Sequence, residues 1–173
     1  MAKVAQQPAP ESEPDESNTT EPASTTVQAN KLVRNYALGS ILVGVLPFPA
    51  IDLAALTAVQ LTMLHSLAKV YDVEFSKQLG KSLIASLVGG GVSVSVAASL
   101  VKIIPVYGTA TGIISTSVFG SASTYAIGKV FIQHFESGGT FLDFDPERVR
   151  EYYVSRFEEG KQQLKKGVAG EQP

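Results

Sequence analysis

The sequence predicts an all-α chain: a small helical bundle with a Gly/Ser-rich apolar helical hairpin, a disordered N-terminal tail and an amphipathic C-terminal helix. Three observations predict it. Charge vanishes from two long blocks: between Arg34 and Lys69 the one formal charge is Asp52, and between Lys81 and Lys129 it is Lys102. Apolar residues in the first block recur three and four positions apart, the spacing of one helical face. In the second block small residues recur every fourth position, which also places them on one face.

Residues 1–29 form the tail. They hold five acids, one Lys and many Pro, Ser, Thr and Gln. Such a stretch buries too little apolar surface to offset its chain entropy, so disorder is expected. It has no apolar core of a secretory signal and none of the Arg-rich, acid-poor character of a transit peptide.

The first apolar block runs from Lys31 to Tyr71. Leu38, Ile41, Leu42 and Val45, then Leu53, Leu56, Val59, Gln60, Met63, Leu64 and Leu67, keep helical spacing. Pro47-Phe48-Pro49 divides it into two helices, because Pro removes a backbone donor and clashes with the preceding turn. Pro49 suits the first turn of the second helix, and Asp52 suits its positive end.

The second block is the hairpin, 82–134. Ser82–Val101 is an uncharged run of 20 residues, enough for a helix of ~30 Å that crosses a bilayer. Pro105 and Gly108 break the helix, and the second arm follows. That arm places Gly108, Gly112, Thr116, Gly120, Thr124 and Gly128 at four-residue intervals, a smooth ridge for close backbone approach. The first arm offers Ser82, Ser86 and Gly90, and Gly89, Ser93 and Ala97, as the expected partners. Alternating Val and Ser over Val92–Val96 leaves β-structure as an alternative, against which the absence of turn signals counts.

Glu136 to Thr140 is a helix stop and loop. Asp145-Pro146-Glu147 then starts the last helix, 146–166, with Val149, Tyr152, Tyr153, Phe157 and Leu164 near one face and charges elsewhere. The domain expected is therefore 30–166, followed by a disordered tail at 167–173.

Composition narrows the function. The 173 residues carry 14 basic and 16 acidic groups, net −2, which speaks against a general nucleic-acid binder. Charged residues are 17% and mean hydropathy is +0.14, pointing to apolar helices, either associated with a membrane or forming the buried centre of a soluble helical bundle. The chain has no Cys, so disulfides, thiolate metal sites and cysteine nucleophiles are excluded. Leu79-Gly80-Lys81-Ser82 ends like a P-loop, but Phe75 stands where the first Gly is needed. Asn30-Lys31-Leu32-Val33 begins like a guanine-reading motif, but Val33 replaces its Asp. Gly89-Gly90-Gly91 lacks the surroundings of a dinucleotide loop. Asp143, Asp145 and Glu147 fail the EF-hand pattern and read as caps. His65 reads as an interfacial or packed residue. No acid, base and nucleophile constellation emerges, so no catalytic, cofactor or metal residue is assigned.

Gly44-Val45-Leu46-Pro47-Phe48-Pro49-Ala50-Ile51-Asp52, followed by Gln60-Leu61-Thr62-Met63-Leu64 and Tyr71, resembles the opening motif of the YcjF-like family, domain of unknown function 697. Tyr125–Lys129 and Gly138–Pro146 are similar to its later portion. Pro47, Pro49, Asp52 and Gln60 carry the motif; Ala50 departs from a frequent Gly. The resemblance covers about 31–160. It implies a helical, membrane-associated bacterial domain that works beside GTPase domains and has no established catalysis. The expected function is a non-enzymatic anchor, scaffold or regulator in contact with membrane lipid, serving a partner such as a GTPase supplied in trans. The alternative is an oligomeric small channel, transporter component or membrane-remodelling protein, in which the ridge packs between copies. Lys77, Lys81 and Lys129 against Lys102 place both termini in the cytoplasm, at the bacterial inner or another cytoplasm-facing membrane.

Overall fold

A computed structural model describes residues 22–43, 49–91 and 110–169. Among these residues there are five helices and no strand: α1 (Pro22–Val43), α2 (Pro49–Val70), α3 (Lys77–Gly91), α4 (Ala110–Glu136) and α5 (Arg150–Ala169). Pro47, Gly108 and the Lys102 turn lie outside the described residues, as do 92–96, on which the β-alternative rested.

α1 and α4 run antiparallel along their whole length. Thr26 meets Glu136, Val33 meets Gly128, and Ala37 meets Ser121. α2 lies parallel to α4, with Leu56 beside Gly120, Gln60 beside Thr124 and Tyr71 beside Glu136. These three helices form the main layer. α3 and α5 cover part of it. α3 leaves α2 near Leu61 and ends with Gly90 against Arg150; α5 crosses α4 where Gly160 meets Ala122 and ends with Leu164 near Leu38 of α1.

α1 starts at Pro22, eight residues ahead of the expected boundary. The reason is tertiary: Ala29 is fully buried, and the Thr26 hydroxyl donates to Glu136 at 2.7 Å. Tyr71 donates to the same carboxylate at 3.1 Å, so Glu136 ties the ends of three helices together.

The lower half of the core is aromatic. Phe131 stacks on Phe144 with centroids 4.5 Å apart, and Phe141 meets Phe75, Phe131 and Phe135 at 5.3–5.5 Å. These rings pull the loop after α4 back onto it. Gly138 makes the reversal at φ 80°, with its amide donating to Phe135 and that of Gly139 to His134, a pairing that satisfies the last carbonyls of the helix. Gly139 has no room for a side chain, because a Cβ there would stand 2.4 Å from the His134 ring.

The same device ends α2, with a non-glycine residue. Val73 donates to Ala68 and Asp72 to Lys69, and Asp72 holds φ 53°. A left-handed L-residue is strained, and a carboxylate is unfavourable at the negative end of a helix. Asp72→Gly should therefore raise stability by about 0.5–1 kcal/mol, read as a small upward shift of the thermal midpoint.

At the start of the last helix, Asp145 accepts from the Glu147 amide at 3.0 Å, and residues 146–149 form a turn that leads into α5 at Arg150. Asp143, expected as a cap, braces the loop instead: the Thr140 hydroxyl and amide both donate to it and hold its carboxyl below the usual range. The His65 ring sits 4.9 Å from Phe75.

Of the expected membrane-crossing hairpin, residues 92–109 lie outside the described residues, and the described second arm is not a span. No helix among the described residues is long and apolar enough to cross a membrane. α3 ends its described course after 15 residues, or ~22 Å. α4 is 27 residues long, but Ser117, Ser121, Ser123 and Thr124 are buried along it and lower its hydropathy. Its small-residue ridge also meets another partner than the one expected. α4 packs chiefly on α1 and α5, and only slightly on α3. Ser82 and Ser86 are exposed, and nothing approaches Gly89 within 4 Å.

Candidate functional site: a charge-free bundle end above a buried hydroxyl network

A chain of polar side chains crosses the bundle at mid-height. Ser40 of α1 shares a hydrogen bond of 3.0 Å with Thr124 of α4, and also donates to the Tyr36 carbonyl. Gln60 of α2 reaches Thr124 at 3.4 Å and Ser123 at 3.5 Å. Ser123 meets the Tyr153 hydroxyl of α5 at 3.1 Å, and Ser121 donates to the Ala37 carbonyl at 2.6 Å. Ser40, Gln60, Ser121, Ser123, Thr124 and Tyr153 are all buried. Buried polar groups are costly unless paired, so this network fixes the register of four helices against one another.

The ridge supplies the closeness that the network needs. A methyl group at Gly128 would stand 2.5 Å from both Cγ atoms of Val33 and 3.0 Å from its Cβ. At Gly120 it would meet Leu56 at 3.4 Å, an ordinary tight contact. Gly112 and Thr116 lie in α4, and their side chains are outside the described set. Pro49 is the first residue of α2 and Asp52 lies in its opening turn. Gln60 is the motif residue with a described role, as the α2 member of the network.

Burial pushes the Tyr153 phenol up to about 12, only partly offset by its hydrogen bond to Ser123. Tyr71 and Tyr125 are also raised, by burial first and then by Glu136 and Glu159. The unfolded chain loses these protons first, near pH 10. Stability is thus fully present below about pH 10 and falls as pH rises toward 12. Tyr153 accounts for about 2 kcal/mol of that loss. Tyr153→Phe should make the alkaline limb of a stability-versus-pH curve visibly shallower, without flattening it.

Above the network the described residues carry a single formal charge, Asp52. From Gly120 to the start of α4 is ~15 Å of helix. The first turns of α2 run over the same height, and the last described residues of α1, 41–43, reach its base. By sequence, residues 35–68 carry only Asp52, and 82–128 carry only Lys102. Where side chains are described here, Ala54 is exposed, as is Ala58 at the base of this end. A cleft of about 360 Å³ opens beside it, lined by Leu56, Ile84, Val88 and Phe119, with Gln60 and Ser123 among its polar groups. The opposite half holds a polar groove of about 420 Å³ with His134, Asp143 and Arg148. No group of three metal-capable side chains occurs among the described residues.

Two comparisons bear on this arrangement. The model of a family described as "Domain of unknown function (DUF697)" matches residues 21–161. The chain belongs to this family. A DUF697 match beginning at 21 agrees with the start of α1 at Pro22. The chain is also 40% identical over 137 residues to "Magnetosome membrane protein 22" of Magnetospirillum gryphiswaldense, covering 77% of this chain and 70% of that one. No solved structure matches this DUF697 chain.

Sequence reasoning identified the ridge and Gln60 but missed the network. The available signal was the run of Ser and Thr along the same helix as the ridge, which only Gln60 and the hydroxyls of α1 and α5 could satisfy. The aromatic cluster was equally legible in principle, since Phe131, Phe135, Phe141 and Phe144 recur around the Gly138-Gly139 turn.

Proposed function

We propose that this DUF697 chain is a non-enzymatic, membrane-associated helical protein that anchors or regulates a partner, a GTPase supplied in trans. The observation that carries the membrane reading is one end of the bundle, where α2 and α4 run on beyond the end of α1, in which the one formal charge among the described residues is Asp52. That end is ~15 Å deep, about half the ~30 Å hydrocarbon core of a bilayer. The end enters one leaflet, while α5 and the aromatic half remain outside on the cytoplasmic side with both termini. The relative's description as a membrane protein supports this reading. The GTPase partner rests on the resemblance and on the failed P-loop pattern, which leaves any nucleotide chemistry to another chain.

An oligomeric channel lined by the ridge has less support. From Gly120 to Gly128 the ridge faces Leu56 and Val33 of the same chain.

Fractionation of cells expressing the chain, followed by alkaline carbonate and then detergent extraction, tests the proposal. The expected result is protein in the membrane fraction that resists carbonate and leaves with detergent. Folded protein in the soluble fraction without detergent would overturn it. Co-purification from detergent then tests for a GTPase partner.

A further inference from the structure

The charges that bound the charge-free blocks are all basic. They are Arg34 on α1, Lys69 on α2, Lys81 on α3 and Lys129 on α4. Arg34, Lys69 and Lys81 are exposed, and none has a carboxylate partner among the described residues. The contrast with the last segment is sharp: Arg150, Arg156 and Lys161 rest on Glu147, Glu159 and Glu158 at 2.6–2.9 Å. Lys129 is held by Asn30 and lies over the Tyr125 ring. Lys69 lies near the far end with Asp72, Glu74 and Glu136, so Arg34, Lys81 and Lys129 form the border; Asp52 apart, no acid of α1–α4 lies closer to the sparsely charged end than they do.

We propose that this basic border binds the phosphates of anionic phospholipids, so that the chain selects anionic bilayers. The inference deepens the membrane reading above and rests on it. Arg34, ~10 Å of helix below the level of Gly120, and Lys81, at the rim of the cleft with Leu56 and Gln60, form a cationic layer beneath the sparsely charged end, which matches a leaflet in which phosphate lies outside the acyl chains. Long Lys and Arg stems can lie along apolar surface while their heads reach that phosphate. Each such cation near an anionic surface strengthens binding by about fivefold, an effect that salt screens.

The test is flotation of the full chain with vesicles of phosphatidylcholine alone, or of phosphatidylcholine and phosphatidylglycerol in equal parts, at low and high salt. The proposal expects tighter binding to the anionic vesicles and weakening with salt. The double variant Arg34→Gln, Lys81→Gln should lose about 20-fold on anionic vesicles and little on neutral ones. Arg148→Gln, which removes one charge in the polar groove, should bind like the parent. Circular dichroism checks that the variants, altered only at exposed positions, keep their helices. Equal binding to both vesicles would overturn the headgroup assignment and leave the membrane reading standing. Binding to neither would overturn both.

Discussion

Gly128→Ala lowers the stability of the bundle by about 1–2 kcal/mol, and Val33→Ala in the same chain restores part of the loss. Overpacking a tight core costs ~1–3 kcal/mol, against which an added alanine methyl returns up to ~1 kcal/mol of helix propensity. The clash cannot be relieved by rotation. Both Cγ atoms of Val33 stand 2.5 Å from the added methyl, its Cβ stands at 3.0 Å, and a β-branched side chain in a helix has essentially one rotamer. α1 would have to move off α4, stretching the Ser40–Thr124 and Ser121–Ala37 hydrogen bonds. Val33→Ala alone leaves a void, which the methyl at position 128 partly fills, so the two losses are not additive. Denaturant unfolding of the two single variants and the double variant measures the coupling. Gly120→Ala is the control: its methyl meets Leu56 at 3.4 Å and the Ser40 carbonyl at 4.0 Å, both ordinary contacts, and its effect should lie near zero. Additive losses at 128 and 33 would mean that the close approach of α1 and α4 is not what Gly128 provides.

The second large effect concerns the membrane. Ala54→Glu and Ala58→Glu each place a second carboxylate, besides Asp52, on an exposed α2 position within or at the base of the sparsely charged end. Neither removes a buried contact, so the thermal midpoint should change little. Charges at hydrocarbon depth cost about 2.5–3.5 kcal/mol on insertion scales, and less near the interface. With about 2 kcal/mol for each, vesicle binding should fall roughly 30-fold per substitution. Gln133→Glu, on an exposed position near the other end of α4, should leave binding unchanged.

Much of the fold was legible in the residues. Pro49 marked the start of α2, Glu136-Ser137-Gly138 marked the end of α4, and Asp145 marked the cap that precedes α5. These are local decisions made by backbone chemistry. The beginning of α1 was not legible, because Pro22–Gln28 is weakly apolar and is held in place by α4 and Glu136. Regular small residues announced a close helix approach but not its partner. The spacing of Gly120, Thr124 and Gly128 is equally compatible with α1 or α3, and Val33 together with the hydroxyl of Ser40 decides for α1. Uncharged length suggested a membrane span; the buried hydroxyls of Ser117, Ser121, Ser123 and Thr124 in α4 count against one. The site was half legible for the same reason: the sparsely charged blocks are contiguous in sequence, whereas their meeting at one end depends on the parallel course of α2 and α4.

The absence of cysteine makes the central claim directly measurable. A single cysteine introduced as Ala54→Cys, or separately as Gln133→Cys, carries an environment-sensitive fluorophore on vesicle-bound protein. Quenching by nitroxides on the lipid acyl chains and by aqueous iodide then reports depth. The account predicts that the label at 54 is quenched by the lipid nitroxide and protected from iodide, with the reverse at 133. A label at 54 that is open to iodide and untouched by the lipid quencher, on protein that floats with the vesicles, would contradict it.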